Sequence, residues 1–225
     1  GATHQGQFDL TMFRCIPNMT IGVPRNEHEL RNLMYTAQLD NKGPFMIRYP
    51  RGKGILADWK NEMHEIEIGK GEEMRSGSDV AIIGVGPILY TAQKAIERLE
   101  AENSNLKIGL YDLKFLKPMD NELLHEIGKR YSLIYTIEDG TIIGGVGSAV
   151  EEWMMDNGYQ PKIVRLGLPD EFVEHGSQAE LFGMLELDEM GIYNKLRIES
   201  FLLCSRFLLR SAIQTSLIAL TYRKN

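Results

Sequence analysis

The sequence has 225 residues, of which 43% are hydrophobic and 25% are charged, and its formal net charge at pH 7 is -6. This length allows one large domain, or one complete domain and part of another. The composition is typical of a soluble globular protein and argues against a disordered chain or a membrane protein, while the negative charge disfavours a general nucleic-acid binder, because binding phosphates requires a basic face.

The first 52 residues predict a unit of strand, helix and strand. The β-branched segment 20–23 is predicted to be a buried strand. A helix should follow, because Asn26 is a suitable cap, Glu29 completes a capping-box pattern, and apolar residues recur at helical spacing. The segment 45–49 is again extended. Since the sequence opens on a histidine turn without preceding strands, we expect the chain to begin inside a domain.

Residues 53–75 are charged and punctuated by glycine, and we interpret them as a linker to a second unit at 76–199. In this unit, apolar strands alternate with amphipathic helices. Strands are predicted at 80–85, 106–113, 133–137 and 162–166, and helices at 89–99, 118–127, 145–156 and, as two short pieces, within 177–199. The alternation predicts an α/β fold with a mostly parallel sheet flanked by helices.

The cysteines and the C-terminal segment indicate in which cellular compartment the protein is expected and whether it spans a membrane. Cys15 and Cys204 are too few and too far apart for a disulfide framework or a zinc site, which favours a reducing cytoplasm, and no secretory signal precedes them. Residues 200–225 form an atypical tail with four basic residues and no acidic one. Its arginines interrupt the apolar run too often for a membrane span. An amphipathic surface helix and a read-through or cloning artefact both stay open.

Two glycine loops, at 84–86 and 144–147, each follow a strand and precede a helix, as dinucleotide-binding loops do. The third glycine of that motif is missing in both, because Leu89 and Val150 stand at the required positions. We therefore interpret these glycines as positions of tight packing between strand and helix.

Two side chains combine useful chemistry with glycine-rich surroundings. His4 lies in a turn where backbone can approach a ligand closely, and an unperturbed imidazole, with a pKa of about 6.5, suits proton transfer. Arg51 follows a predicted strand end, where its planar guanidinium could fork onto a phosphate or a carboxylate. From spacing alone, a structural role for His4 and a surface ion pair for Arg51 stay open.

Other polar residues favour structural roles. Glu138 and Asp139 end an apolar strand at the edge where parallel sheets bind ligands, but neighbouring residues of a strand point to opposite sides and would not act jointly. We expect His175 to help cap the helix that follows it. The remaining histidines lack metal-ligand spacing, and we expect them to be solvated: His28, His64 and His125.

Four segments carry a resemblance that runs in order from residue 1 to about residue 199. They are GATHQGQFDL at 1–10, RCIPNM at 14–19, RYPRG at 48–52 and GLPDEFVEHGS at 167–177. Together they resemble the 1-deoxy-D-xylulose-5-phosphate synthase family of transketolase-like thiamine-diphosphate enzymes. The resemblance is specific, because the histidine turn, the arginine motif and the Leu-Pro-Asp segment occur together.

The resemblance implies a transferase that condenses pyruvate with glyceraldehyde 3-phosphate, with loss of carbon dioxide, to 1-deoxy-D-xylulose 5-phosphate for isoprenoid-precursor synthesis. It implies the end of a pyrimidine-binding domain at 1–52 and a transketolase-type C-terminal domain at 76–199. His4 matches the family histidine that contacts substrate near the thiazolium and assists proton handling. Arg51 matches the arginine that holds the phosphate of the aldehyde.

The same resemblance implies thiamine diphosphate and magnesium in a complete cytoplasmic homodimer, with neither nucleic acid nor membrane as a partner. The magnesium motif and the activating glutamate belong to upstream sequence, so we expect no cofactor-binding or metal-binding residue here and no activity of the isolated chain. Two alternatives stay open. One is another transketolase-like enzyme, such as the beta subunit of a 2-oxo acid dehydrogenase, and the other is a non-catalytic association module.

Overall fold

The computed structural model describes residues 6–56, 58–103 and 105–198; His4 and the predicted tail lie outside the described residues. After a short 3-10 helix at Gly6–Phe8, the helices are α1 (Asp9–Arg14), α2 (Glu27–Thr36), α3 (Ile88–Glu102), α4 (Asn121–Arg130), α5 (Val146–Asp156), α6 (Gln178–Met184) and α7 (189–198). The strands are β1 (Thr20–Gly22), β2 (Phe45–Ile47), β3 (Glu72–Arg75), β4 (Val80–Gly84), β5 (Ile108–Asp112), β6 (Phe115–Lys117), β7 (Leu133–Thr141) and β8 (Lys162–Leu168).

These strands form two sheets. The smaller has the order β2-β1-β6, with β1 parallel to β2 and antiparallel to β6. The larger has the order β3-β5-β4-β7-β8, and its pairs are parallel except for the edge strand β3, which runs antiparallel to β5. The predicted α/β fold with a mostly parallel sheet is confirmed. Because β6 follows β5 after two residues and pairs with β1, it ties the two sheets together.

The apolar run of β4 is explained by burial on both faces of the larger sheet. Val80 and Ile82 pack in the buried cluster that contains the inner faces of α3 and α7. Ala81 and Ile83 point to the opposite face, where α4 and α5 cover them. A strand covered on both sides carries an apolar residue at nearly every position. Truncating one of these fully buried isoleucines to alanine should cost about 2–5 kcal/mol of unfolding free energy.

Two predicted helix caps differ from the observed ones. Ser177, and not His175, caps α6: its side chain accepts from the backbone N–H of Glu180, whose carboxylate accepts in return from the N–H of Ser177. The prediction for His175 was wrong because the adjacent serine offers a shorter acceptor that reaches the first turn. Asn26 does cap α2, but the Glu29 carboxylate accepts from the backbone N–H of Arg25, so the predicted reciprocal box is not formed.

The expectation that three histidines are solvated holds for His64, which is exposed, whereas His28 and His125 are partly buried; all three also have a protein partner. His28 contacts the carbonyl oxygen of Asp58, His64 contacts the Asn32 amide, and His125 packs edge-on against Trp153. The first two contacts connect α2 to residues after Arg51, which periodicity could not reveal. None of the helices in the described parts of the chain has the length and apolar character needed to traverse a bilayer.

Candidate functional site

A cleft of about 640 Å³ opens between the two sheets, next to the carboxyl ends of β2, β7 and β8. One wall consists of residues 48–52, which follow β2, with Gly6, Gln7 and Asp9 beside them. The other wall consists of residues that follow β8 and the inner side of α6. Because the carboxyl edge of a parallel sheet is where α/β proteins bind ligands, this cleft is the candidate site.

An ion cluster centred on Arg48 joins the end of β2 to β7 and to the start of α1. Its guanidinium donates through Nη1 to the Asp139 carboxylate and through Nη2 to the Asp139 carbonyl oxygen at 3.1 Å. Its Nε lies 3.4 Å from Oδ2 of Asp9. Burial alone would lower the pKa of Arg48, but the two carboxylates raise it above its usual value. Burial raises the pKa of Asp9, which Arg48 partly offsets. Arg48 therefore serves as a fixed cation in the wall formed by residues 48–52.

Glu138 points away from the cleft, as expected for the neighbour of Asp139 on a strand. Its carboxylate is 1% exposed and accepts hydrogen bonds from the backbone N–H groups of Val146 at 3.0 Å and Gly147 at 2.9 Å. Burial raises its pKa to about 7, although both N–H donors act in the opposite direction. Glu138 thus accepts two hydrogen bonds from the first turn of α5, and Asp139 pairs with Arg48. These contacts agree with the structural role that was expected for both carboxylates.

The glycine loop before α5 is closely packed, as predicted. A Cβ on Gly147 would come within 2.6 Å of Thr136 Oγ1, so strand β7 and helix α5 meet without room for a side chain. Its N–H is already bonded to Glu138. Since the loop has little space for a side chain and the N–H groups of Gly144, Val146 and Gly147 are already bonded, the packing interpretation is supported over a dinucleotide site.

Within the part of the chain that the structure describes, Arg51 differs from Arg48 in having no fixed partner. It is exposed, lines the cleft, and also lines a second cavity of about 340 Å³ on the other side of the 49–52 loop. Among the described residues, no hydrogen bond or ion pair holds its guanidinium. His175 and Gln178 face it across the cleft. The predicted alternative, a surface ion pair, finds no partner in this part of the chain, so Arg51 presents an available cation to a ligand.

Within the described residues, no group of three or more His, Cys, Asp or Glu side chains is arranged to hold a metal ion. Of the acidic residues that line the cleft, Asp9 and Asp139 are engaged by Arg48, and the third is Glu174. We therefore derive no step through the implied cofactor from these residues.

Sequence reasoning found Arg51 and missed Arg48, although both stand in the same RYPRG motif. The sequence did offer a signal for Arg48, namely its position at the end of a predicted strand, three residues before Arg51. Its partner Asp139 is 91 residues away in sequence, so the pairing depends on how the sheets meet. His4 lies outside the described residues; Gly6, two residues later in the sequence, lines the cleft.

Two family models match this chain. The model of the transketolase C-terminal domain matches residues 69–192, and the model of the transketolase pyrimidine-binding domain matches residues 1–54. The first match covers more than half of the sequence, and the chain belongs to the transketolase C-terminal domain family. The expected order, with the end of a pyrimidine-binding domain before a transketolase-type C-terminal domain, is confirmed.

Several similar curated proteins are named 1-deoxy-D-xylulose-5-phosphate synthase. The one from Bacteroides fragilis is 54% identical over 205 residues, which cover 89% of this chain and 32% of that protein. The one from Phocaeicola vulgatus is 57% identical over 196 residues, which cover 87% of this chain and 31% of that protein. The resemblance inferred from the motifs is confirmed, and the chain spans about a third of the length of these relatives.

Solved transketolase structures share the fold. A split-gene transketolase described as an inactive beta4 tetramer has a TM-score of 0.73 at 30% identity, covering 88% of this chain and 62% of that one. A transketolase from Pichia stipitis in complex with sedoheptulose 7-phosphate has a TM-score of 0.63 at 19% identity, covering 87% of this chain and 27% of that one. The second likeness concerns the fold alone.

Proposed function

We propose that this chain is the C-terminal part of a 1-deoxy-D-xylulose-5-phosphate synthase. The complete enzyme would condense pyruvate with glyceraldehyde 3-phosphate and release carbon dioxide, using thiamine diphosphate and magnesium held outside the described residues. The observation that carries the proposal is the guanidinium of Arg51, which stands in the RYPRG motif, lines the cleft between the sheets and has no partner among the described residues. We prefer the synthase to a dehydrogenase beta subunit because the similar curated proteins are named synthases.

In this proposal, Arg51 holds the phosphate group of glyceraldehyde 3-phosphate. A planar guanidinium donates two parallel hydrogen bonds to a phosphate, and such charged bonds are among the stronger ones in proteins. Arg48 would not compete for the substrate, because Asp139 and Asp9 already occupy it. His4, which lies in the first of the four segments that carry the resemblance, would contact substrate and assist proton handling.

The organisation of the complete protein is part of the proposal. We assign residues 1–52 to the end of the pyrimidine-binding domain, 53–75 to a linker whose last residues form the edge strand β3, and 76–199 to the C-terminal domain, followed by the atypical tail at 200–225. We propose a cytoplasmic homodimer that requires no nucleic acid or membrane, and no activity of the chain alone. The split-gene transketolase that shares this fold, an inactive beta4 tetramer, supports self-association and the lack of activity by analogy.

The test is steady-state kinetics of the full-length protein with Arg51→Ala. We expect the KM for glyceraldehyde 3-phosphate to rise by about tenfold or more, because a lost charged hydrogen bond is worth about 1.5–3 kcal/mol. The KM for pyruvate should change much less. Equal effects on both substrates would remove the phosphate role. Turnover by the isolated chain with both substrates, thiamine diphosphate and magnesium would contradict the assignment as an inactive part.

A further inference from the structure

The segment that follows Arg51 is attached along one face of α2. We call the described residues 54–56 and 58–66 the strap. Side chains spaced four residues apart on a helix share one face, and here that face contacts successive points of the strap: Glu27 with the N–H of Leu56, His28 with the carbonyl of Asp58, Arg31 with the carbonyl of Asn61, Asn32 with the N–H of His64, and Thr36 with the N–H of Ile66. Most of these contacts use strap backbone, so they fix its path.

The contact closest to Arg51 is made by Glu27. Both oxygens of its carboxylate accept from the backbone N–H of Leu56, at 3.2 and 3.3 Å. The carboxylate also lies directly against Gly54, since a Cβ on that glycine would overlap Glu27 Oε1. Glycine at this position therefore allows the Glu27 side chain to reach the strap.

Arg51 lies in a short span that is fixed at both ends. Before it, the backbone N–H of Arg48 donates to the Gly22 carbonyl at 3.0 Å, and its side chain is held by Asp139. After it, Leu56 is held by Glu27. Fixing a residue's backbone costs conformational entropy. A span anchored on both sides has lost part of that freedom already, so less is lost when the guanidinium binds an anion.

We propose that Glu27 is a positioning residue for Arg51, which it holds ready for the phosphate of the aldehyde substrate by anchoring the strap at Leu56. This inference rests on the proposed phosphate role of Arg51. Glu27 itself need not touch the substrate. It lines the second cavity beside the 49–54 loop, whereas it is not among the residues that line the main cleft.

The first experiment measures KM values of the full-length protein with Glu27→Ala. The KM for glyceraldehyde 3-phosphate should rise about threefold to tenfold, because one hydrogen-bonded anchor is lost, while kcat and the KM for pyruvate stay within about twofold. Glu27→Gln keeps an oxygen that can accept from Leu56 and should restore the KM to within about twofold of wild type. Glu122→Ala removes an exposed acid from the first turn of α4 and serves as the matched control, with no effect on either KM.

Gly54→Ala provides an independent probe. Its Cβ would displace the end of the flexible Glu27 side chain, so this variant should raise the same KM as Glu27→Ala does. In the Glu27→Ala variant the side chain that this Cβ would displace is absent, so adding Gly54→Ala should not raise the KM for glyceraldehyde 3-phosphate any further. Equal effects of Gly54→Ala in both backgrounds would mean that it acts through something other than Glu27, and would overturn the inference.

A double-mutant cycle with Arg51→Ala separates the two proposals. If Arg51→Ala alone leaves the KM for glyceraldehyde 3-phosphate unchanged, the proposed function of Arg51 fails. If Arg51→Ala raises that KM, the increase caused by Glu27→Ala should shrink to less than about twofold in its presence, because positioning an absent guanidinium has no effect. An undiminished increase, or no effect of Glu27→Ala on its own, would overturn the positioning role while leaving Arg51 in place.

Discussion

Replacing Glu138 by glutamine tests how a buried carboxylate behaves beneath the candidate site. Two influences on its pKa oppose each other: burial raises it, and the N–H donors of Val146 and Gly147 lower it. Burial prevails, with a pKa of about 7 against a usual value of 4.5. Between these two pH values the folded protein binds a proton that the unfolded chain has released. The contribution of Glu138 to the free energy of unfolding is therefore present at acidic pH and is lost as the pH rises towards 7.

The size of this effect follows from the shift. A shift of about two and a half pKa units corresponds to about 3 kcal/mol, at 1.36 kcal/mol per unit. Glutamine cannot titrate, so the free energy of unfolding of Glu138→Gln should lack the pH dependence that Glu138 causes in the wild type. At pH 5 we expect the variant to be less stable than the wild type by about 1–3 kcal/mol, because its amide group faces a backbone N–H donor and leaves it unpaired. By pH 8 the difference in unfolding free energy between the wild type and the variant should have narrowed by up to about 3 kcal/mol.

Urea unfolding of both proteins at pH 5, 6, 7 and 8 measures this difference directly. A difference that stays constant, or widens with pH, would refute the reasoning. It would show that the two N–H donors at the start of α5 keep Glu138 ionised in the folded protein despite its burial. Circular dichroism at each pH provides the control that both proteins are folded before denaturant is added.

Three further predictions concern stability. Burial raises the pKa of Asp112 to about 7 from 3.8, even though Arg25 lies beside it. The free energy of unfolding of the wild type should therefore fall between pH 5 and 8, and urea titration of Asp112→Asn should show a smaller fall. An unchanged pH slope would contradict this. Arg48→Ala leaves two partly buried carboxylates without their cation and should cost about 3–5 kcal/mol in chemical denaturation, whereas a loss of under about 1 kcal/mol would indicate a solvated pair. Ser177→Ala should cost about 1 kcal/mol through loss of the α6 cap, and His175→Ala should leave the melting temperature unchanged; the opposite order would reinstate the histidine cap.

The sequence predicted the larger sheet well because its central strands are buried on both faces. Val80 to Val85 and Leu133 to Ile137 are nearly continuous apolar runs, and such runs have few other structural explanations. Strand β3, with the sequence Glu-Glu-Met-Arg, was missed because it is a polar edge strand paired on one side only. Strand β6 has three residues, too few for a detectable period.

The candidate site was predictable only where one residue carries the signal. Arg51 could be selected from its position between a strand end and a glycine. The Arg48 to Asp139 pair and the Glu27 to Leu56 contact could not, because each joins segments whose closeness is decided by tertiary packing. The capping error at His175 has a local cause, since the sequence offered two polar candidates and the shorter side chain reaches the first turn of α6.

The discrimination between phosphorylated and unphosphorylated aldehyde tests the central claim most directly. We would measure kcat/KM of the full-length protein for glyceraldehyde 3-phosphate and for glyceraldehyde, with and without Arg51→Ala. The account predicts that the preference for the phosphorylated substrate falls by about 10-fold to 100-fold in the variant, because about 1.5–3 kcal/mol of charged hydrogen bonding is lost. An unchanged preference would contradict it, and would mean that another group binds the phosphate.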